Sequence, residues 1–125
     1  MIYKEAGEYK TIFYKDQGGS KSSVFEYISK LERKESFKIF KYIEFLRLNK
    51  GVLDEPYSKH IKGKIRELRV DFAKNRYRIF YFAFIGKHII VLHAFLKKTE
   101  KTPLGEIKKA EAAYQSIINN PKLYV

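Results

Sequence analysis

The chain has no cysteine, so it can build neither a disulfide framework nor a thiolate metal site. This fits a reducing compartment, and a cytoplasmic location is the expectation. The first residues, MIYKEAGEYK, lack the apolar core of a secretory signal. The longest apolar runs, IFYFAFI and IIVLHAFL, are too short to span a bilayer, so no membrane partner is expected. Repeats, linkers and low-complexity tracts are missing as well. The three histidines, His60, His88 and His93, share no ligand spacing, so neither a metal site nor a cofactor is expected. The stretch FYKDQGGSKSS runs from strand through glycines to Lys-Ser, but Ser20 separates Gly19 from Lys21 and the phosphate-loop spacing is broken. Acidic side chains are the scarcest resource: 14 Asp and Glu face 26 Lys and Arg, leaving a net charge of +12.

What is present is enough for a core. Of the 125 residues 45% are apolar, with ten Phe and ten Tyr, which fits one folded domain over 1–125. A surface this basic attracts nucleic acid, anionic lipid or an acidic protein, and for a small cytoplasmic domain nucleic acid is the favoured partner.

Periodicity orders the chain as β-α-α-β-β-β-α. Thr11 to Tyr14 reads as a short strand. Ser23 and Glu26 match a capping box, and Val24, Tyr27, Ile28 and Leu31 share one helical face. Ser36 is placed to cap a second helix with the stripe Ile39, Tyr42, Ile43 and Leu46, ended by a left-handed Gly51. VLDEPYSKHIKGK reads as loop. In Arg66–Phe72, apolar Leu68, Val70 and Phe72 alternate with Glu67, Arg69 and Asp71. Arg76–Phe84 is aromatic on both faces, as a central strand would be. His88–Leu96 is nearly all apolar, and the short turns imply an antiparallel meander. Thr102 and Pro103 open a last helix with the stripe Ile107, Ala110, Tyr114 and Ile117. The expected fold class is α+β: a small antiparallel sheet, mixed at one edge, with a helical hairpin and a C-terminal helix. The helices are expected on one face of the sheet, leaving the other face or one end for function.

The cations gather in the second half. Lys59, Lys62, Lys64 and Arg66 lead into the meander, Arg69, Arg76 and Arg78 lie on or beside its strands, and Lys97, Lys98 and Lys101 follow it. A hairpin centred near Lys74 places Arg69 opposite Arg78. Two opposed guanidiniums repel unless an anion lies between them. The alternative is an ion pair of Arg69 or Arg78 with Glu67 or Asp71. His93, within an apolar strand, is either a core histidine bonded to a carbonyl or a group at a cleft.

The stretches ELR at Glu67–Arg69, RYRIFY at Arg76–Tyr81 and LHAFLKKTEKTP at Leu92–Pro103 resemble the HigB branch of the RelE/ParE toxin superfamily, described as phage-derived Gp49-like proteins. The resemblance is close over residues 57–118. It implies a compact RNase-like toxin of a type II toxin–antitoxin system that cuts mRNA on the ribosome. It implies a HigA-like helix-turn-helix antitoxin as partner, and operator DNA reached only through that complex. It also implies that Arg78 contacts the scissile phosphate, that Lys98, together with Lys97, stabilises charge there, and that Arg69 and Glu67 occupy substrate-facing positions. The proton acceptor would be Glu67 or His93. Lys59, Lys62, Lys64, Arg76, Lys97 and Lys101 are candidates for RNA contact. A basic module that binds RNA or DNA without cutting, and a ParE-like gyrase inhibitor, are the competing readings.

Overall fold

The computed structural model describes residues 9–84 and 86–124. Strand β1 (Lys10–Phe13) leads through a short 3-10 turn to helices α1 (Ser23–Ser29) and α2 (Arg33–Leu48). Strands β2 (Ser58–Lys62), β3 (Ile65–Phe72), β4 (Asn75–Phe84) and β5 (His88–Lys97) follow, then helix α3 (Leu104–Asn119). The five-stranded sheet has the order β1-β5-β4-β3-β2. Every neighbouring pair is antiparallel except β1 with β5, which is parallel, so the sheet is mixed at one edge as expected. β4 is the middle strand, which explains apolar residues on both of its faces.

The helices divide between the faces, which corrects the expectation that they share one. Val24 and Ile28 of α1 and Ile39, Ile43 and Leu46 of α2 pack on Leu68, Val70, Ile79, Tyr81, Ile89 and Val91. Ala110, Ala113 and Ile117 of α3 pack on Ile65, Phe80, Phe82, Ile90 and Phe95 from the other side. Each fully buried aliphatic or aromatic side chain here contributes roughly 1.5–3 kcal/mol. Tyr114 belongs to this second core, its ring 4.8 Å from that of Phe82 in an edge-on contact.

Three local readings shift. Ser58–Lys62, expected as loop, forms edge strand β2. Its polar residues show no clean alternation because one side of an edge strand faces solvent. The cap of α1 is Ser22, which accepts from the Phe25 amide at 3.2 Å, while Ser23 bonds Asp16 instead. Helix α2 begins before Ser36, and Glu32 occupies its cap position without a side-chain bond. Gly51 does take the left-handed conformation, φ 82°, and its amide donates to Leu46 at 2.8 Å.

Candidate active site and nucleic-acid interface

Helix α3 covers only part of its face of the sheet. Along β4, Phe80 and Phe82 lie beneath it, while Arg76 and Arg78 of the same alternation lie at the other end of the strand. Along β3, Ile65 lies in the α3 core and Glu67, Arg69 and Asp71 continue its alternation. The turn between the two strands is Ala73–Lys74, and it fixes the register so that Arg69 pairs with Arg78 and Asp71 with Arg76. The cross-strand register read from the sequence is present, and so are the ion pairs offered as its alternative, Arg69 with Glu67 at 3.1 Å and Arg78 with Asp71 at 2.9 Å. On the next strand, Lys97 pairs with Arg76 and Phe95 with Arg78.

Each charge has a defined setting. Arg78 is only 6% exposed. Its Nη1 donates to Asp71 Oδ1 and to the Tyr77 carbonyl, both at 2.9 Å. Its Nε–H is buried with no acceptor. A buried donor left unmet is costly, and a small turn of the guanidinium toward an incoming phosphate oxygen would satisfy it. Arg69 donates from Nε to Glu67 Oε1 at 3.1 Å. Glu67 is 1% exposed and also accepts from the Thr102 hydroxyl at 3.4 Å. That contact corrects Thr102 as a helix cap: Pro103 takes the cap position, and Thr102 turns its hydroxyl to the site. Burial holds the Lys97 amine below the usual lysine range, opposed by Glu67 and reinforced by Arg78, Arg69 and Arg76. The lysine therefore shares one electrostatic neighbourhood with three arginines and Glu67. Four cations here face two carboxylates, Glu67 and Asp71, and the surplus positive charge suits an anion.

The structure distributes the remaining candidates elsewhere. Lys98 lies one residue beyond β5 and is exposed. His93 is bonded through Nε2 to Glu106 of α3 at 2.6 Å and stacks on Phe95 at 5.8 Å. Both readings of His93 from the sequence missed this acidic partner. A bulge opposite Phe80 and Tyr81 leaves Leu92 unpaired and turns His93 toward α3. Lys62 reaches Glu111 at 2.8 Å. Lys59, Lys64 and Lys101 are exposed. Asp71 is the site residue that sequence reasoning ranked too low; its alternation with Glu67 and Arg69 was the available signal. A cleft of about 190 Å³ runs beside the arginine pair, lined by Lys38, Tyr42, Pro56, Tyr57, Arg69, Asp71 and Arg78.

Comparison with known proteins places the chain in a family. A family profile described as "Phage derived protein Gp49-like (DUF891)" matches residues 26–115. Two curated relatives, from Mycobacterium tuberculosis strains CDC 1551 / Oshkosh and ATCC 25618 / H37Rv, are each named "Probable endoribonuclease HigB1". Each is 42% identical to this chain over 52 residues, covering 42% of this chain and 41% of the relative. The match therefore spans about two fifths of the length of each curated relative. The family profile covers far more of the chain, from α1 into α3, and includes every residue of the arginine cluster. On that coverage, the chain belongs to the phage-derived Gp49-like family.

Proposed function

We propose that this protein is the toxin of a toxin–antitoxin pair, an endoribonuclease that cuts mRNA on the ribosome without a metal. The observation that carries this reading is the cluster of Arg69, Arg78, Arg76 and Lys97 in register on neighbouring strands, with Arg78 buried and Arg69 partly open to solvent. The name of the mycobacterial relatives supports it. The partners of this reading are a helix-turn-helix antitoxin, the ribosome and its mRNA, and operator DNA through the antitoxin complex.

The chemistry follows from the charges. The 2′-hydroxyl oxygen of one nucleotide attacks the adjacent phosphorus, and the bond from phosphorus to the 5′ oxygen breaks. The products are a 2′,3′-cyclic phosphate and a 5′-hydroxyl end. Negative charge grows on the non-bridging oxygens, where preorganised cations act most strongly. Arg69, Arg78, Arg76 and Lys97 supply that field, and Lys97 rather than Lys98 is the lysine of the cluster. The proton acceptor is one of the two carboxylates at hand, Glu67 or Asp71; Glu106 holds the His93 ring on α3. The departing 5′ oxygen takes its proton from water or from a neighbouring cation.

The test is cleavage in a translating extract with mRNA ends mapped, comparing wild type with Arg69→Gln. Arg69 is 28% exposed but pairs with the buried Glu67, so the variant's melting temperature is measured alongside and the rate is taken per folded molecule. Cleavage by the variant is expected to slow by about 100- to 1000-fold, the usual effect of removing one charge-stabilising donor. An undiminished rate would remove Arg69 from the chemistry. Wild-type protein that binds RNA yet leaves no cut ends would make this a binding module instead.

A further inference from the structure

The cleft beside the arginine pair holds more than charge. Tyr57 is 52% exposed, and its ring lies 6.3 Å from that of Tyr42 at an interplanar angle of 66°. The two rings form an aromatic corner in the cleft that Arg69 and Arg78 line. Its position is tied to the site through the backbone, because the Tyr57 carbonyl accepts from the Arg69 amide at 2.8 Å. Lys38 crosses from α2 to the same edge and donates to the Asp71 carbonyl, and its amine lies 5.5 Å over the Tyr42 ring. Tyr42 and Lys38 are also shared with a groove of about 600 Å³ along α2, lined by Arg33, Lys34, Phe37 and Lys41 among others. A cation track with aromatic rings therefore runs away from the arginine pair.

A phosphate held between two guanidiniums brings a nucleobase with it, and that base needs a surface. Unstacked RNA bases bind to aromatic side chains, and strands without sequence preference follow basic grooves lined by such rings. An acidic peptide would satisfy the cations but would leave the aromatic corner without a matching planar partner. We propose that Tyr57, backed by Tyr42, is the platform on which a base next to the cut phosphate stacks, with Lys38 on the adjoining backbone. The assignment deepens the nuclease reading and rests on it.

The experiment measures binding of a fluorescent single-stranded hexaribonucleotide, made uncleavable by a 2′-O-methyl group on every sugar, to the purified full chain. Tyr57→Ala is expected to weaken binding about 5- to 150-fold, the range corresponding to 1–3 kcal/mol for one stacked base. Tyr57→Trp and Tyr57→Phe are expected to restore it, since a ring suffices. Replacing one nucleotide by an abasic residue is expected to cost wild type the same factor and Tyr57→Ala nothing further. A folding defect in the variant would not produce that loss of additivity. If wild type binds the oligonucleotide and Tyr57→Ala binds it equally, the platform is overturned while the nuclease reading stands. If Tyr57→Ala keeps RNA affinity but loses the antitoxin, the corner is a protein contact and the proposal is wrong. If wild type does not bind the oligonucleotide, the platform is overturned, and cleavage in the translating extract decides the nuclease reading separately.

Discussion

The β3–β4 hairpin has two faces with opposite careers. On one, Leu68, Val70, Tyr77, Ile79 and Tyr81 are closed against α1 and α2. On the other, the described apolar side chains of the same two strands lie under α3, at Ile65, Phe80 and Phe82. Beyond the reach of α3 the same alternation delivers Glu67, Arg69, Asp71, Arg76 and Arg78. One face is used to hold the hairpin, and that rigid backing lets the other concentrate like charges at close range. The charged cluster lies where the covering helix stops.

This contrast can be broken from either side. The largest effect is expected from the closed face: Ile79→Ala, at a fully buried position, should cost about 2–5 kcal/mol of stability in a denaturant titration. Cleavage per folded molecule should be retained; if it is lost first, the two faces are not separable. Lys97→Gln attacks the open face. Its charge is disfavoured in the fold by burial and by three arginines, so the folded state holds that proton less tightly than the unfolded chain does. The resulting penalty is present at neutral pH and fades only as pH rises toward the free lysine value. Removing the charge should leave the melting temperature equal or higher while cleavage falls by about 100-fold. A lower melting temperature would mean that Lys97 is structural. The smallest effect sharpens the closed face. Burial, and then the bond to the Glu35 carboxylate, push the Tyr77 hydroxyl up to about 12 from 10.0. The folded state holds this proton more tightly, so its contribution is complete below pH 10 and lost as pH rises to about 12. Tyr77→Phe should flatten the decline in stability over that window. A decline as steep as in wild type would place its origin elsewhere, for example in Tyr27 or Tyr124, which burial also raises.

Most of the framework was legible because periodicity records burial. The stripes of α1 and α2, the alternation of β3 and the central place of β4 all follow from which side chains must leave water. The register that opposes Arg69 and Arg78 followed from one short turn. Ser58–Lys62 was not legible, because the edge strand SKHIK carries polar residues that no burial pattern organises. The split of helices between faces was hidden too, since an amphipathic stripe says that a face is covered and not which one. In the candidate site, residue type pointed to the arginines but did not separate Lys97 from Lys98. Lys97 and Lys98 are the same side chain, and only the end of β5 distinguishes the one paired with Arg76 from the exposed one after it. Tyr57 escaped notice because its neighbour Tyr42 is distant in sequence and meets it only in the fold.

The parallel pairing of β1 with β5 has a consequence for how the molecule is made. Phe13 finds its partner in Val91, and Lys15 bonds through its amide to the Tyr124 hydroxyl at 3.1 Å. At synthesis rates of about 5–20 residues per second, β1 waits roughly 4–16 s for its partner strand to be made. During that interval the growing chain has its first segment but not the closed sheet that backs the arginine pair. The sheet that carries the arginine cluster is thus closed along β1 only once β5 has been made.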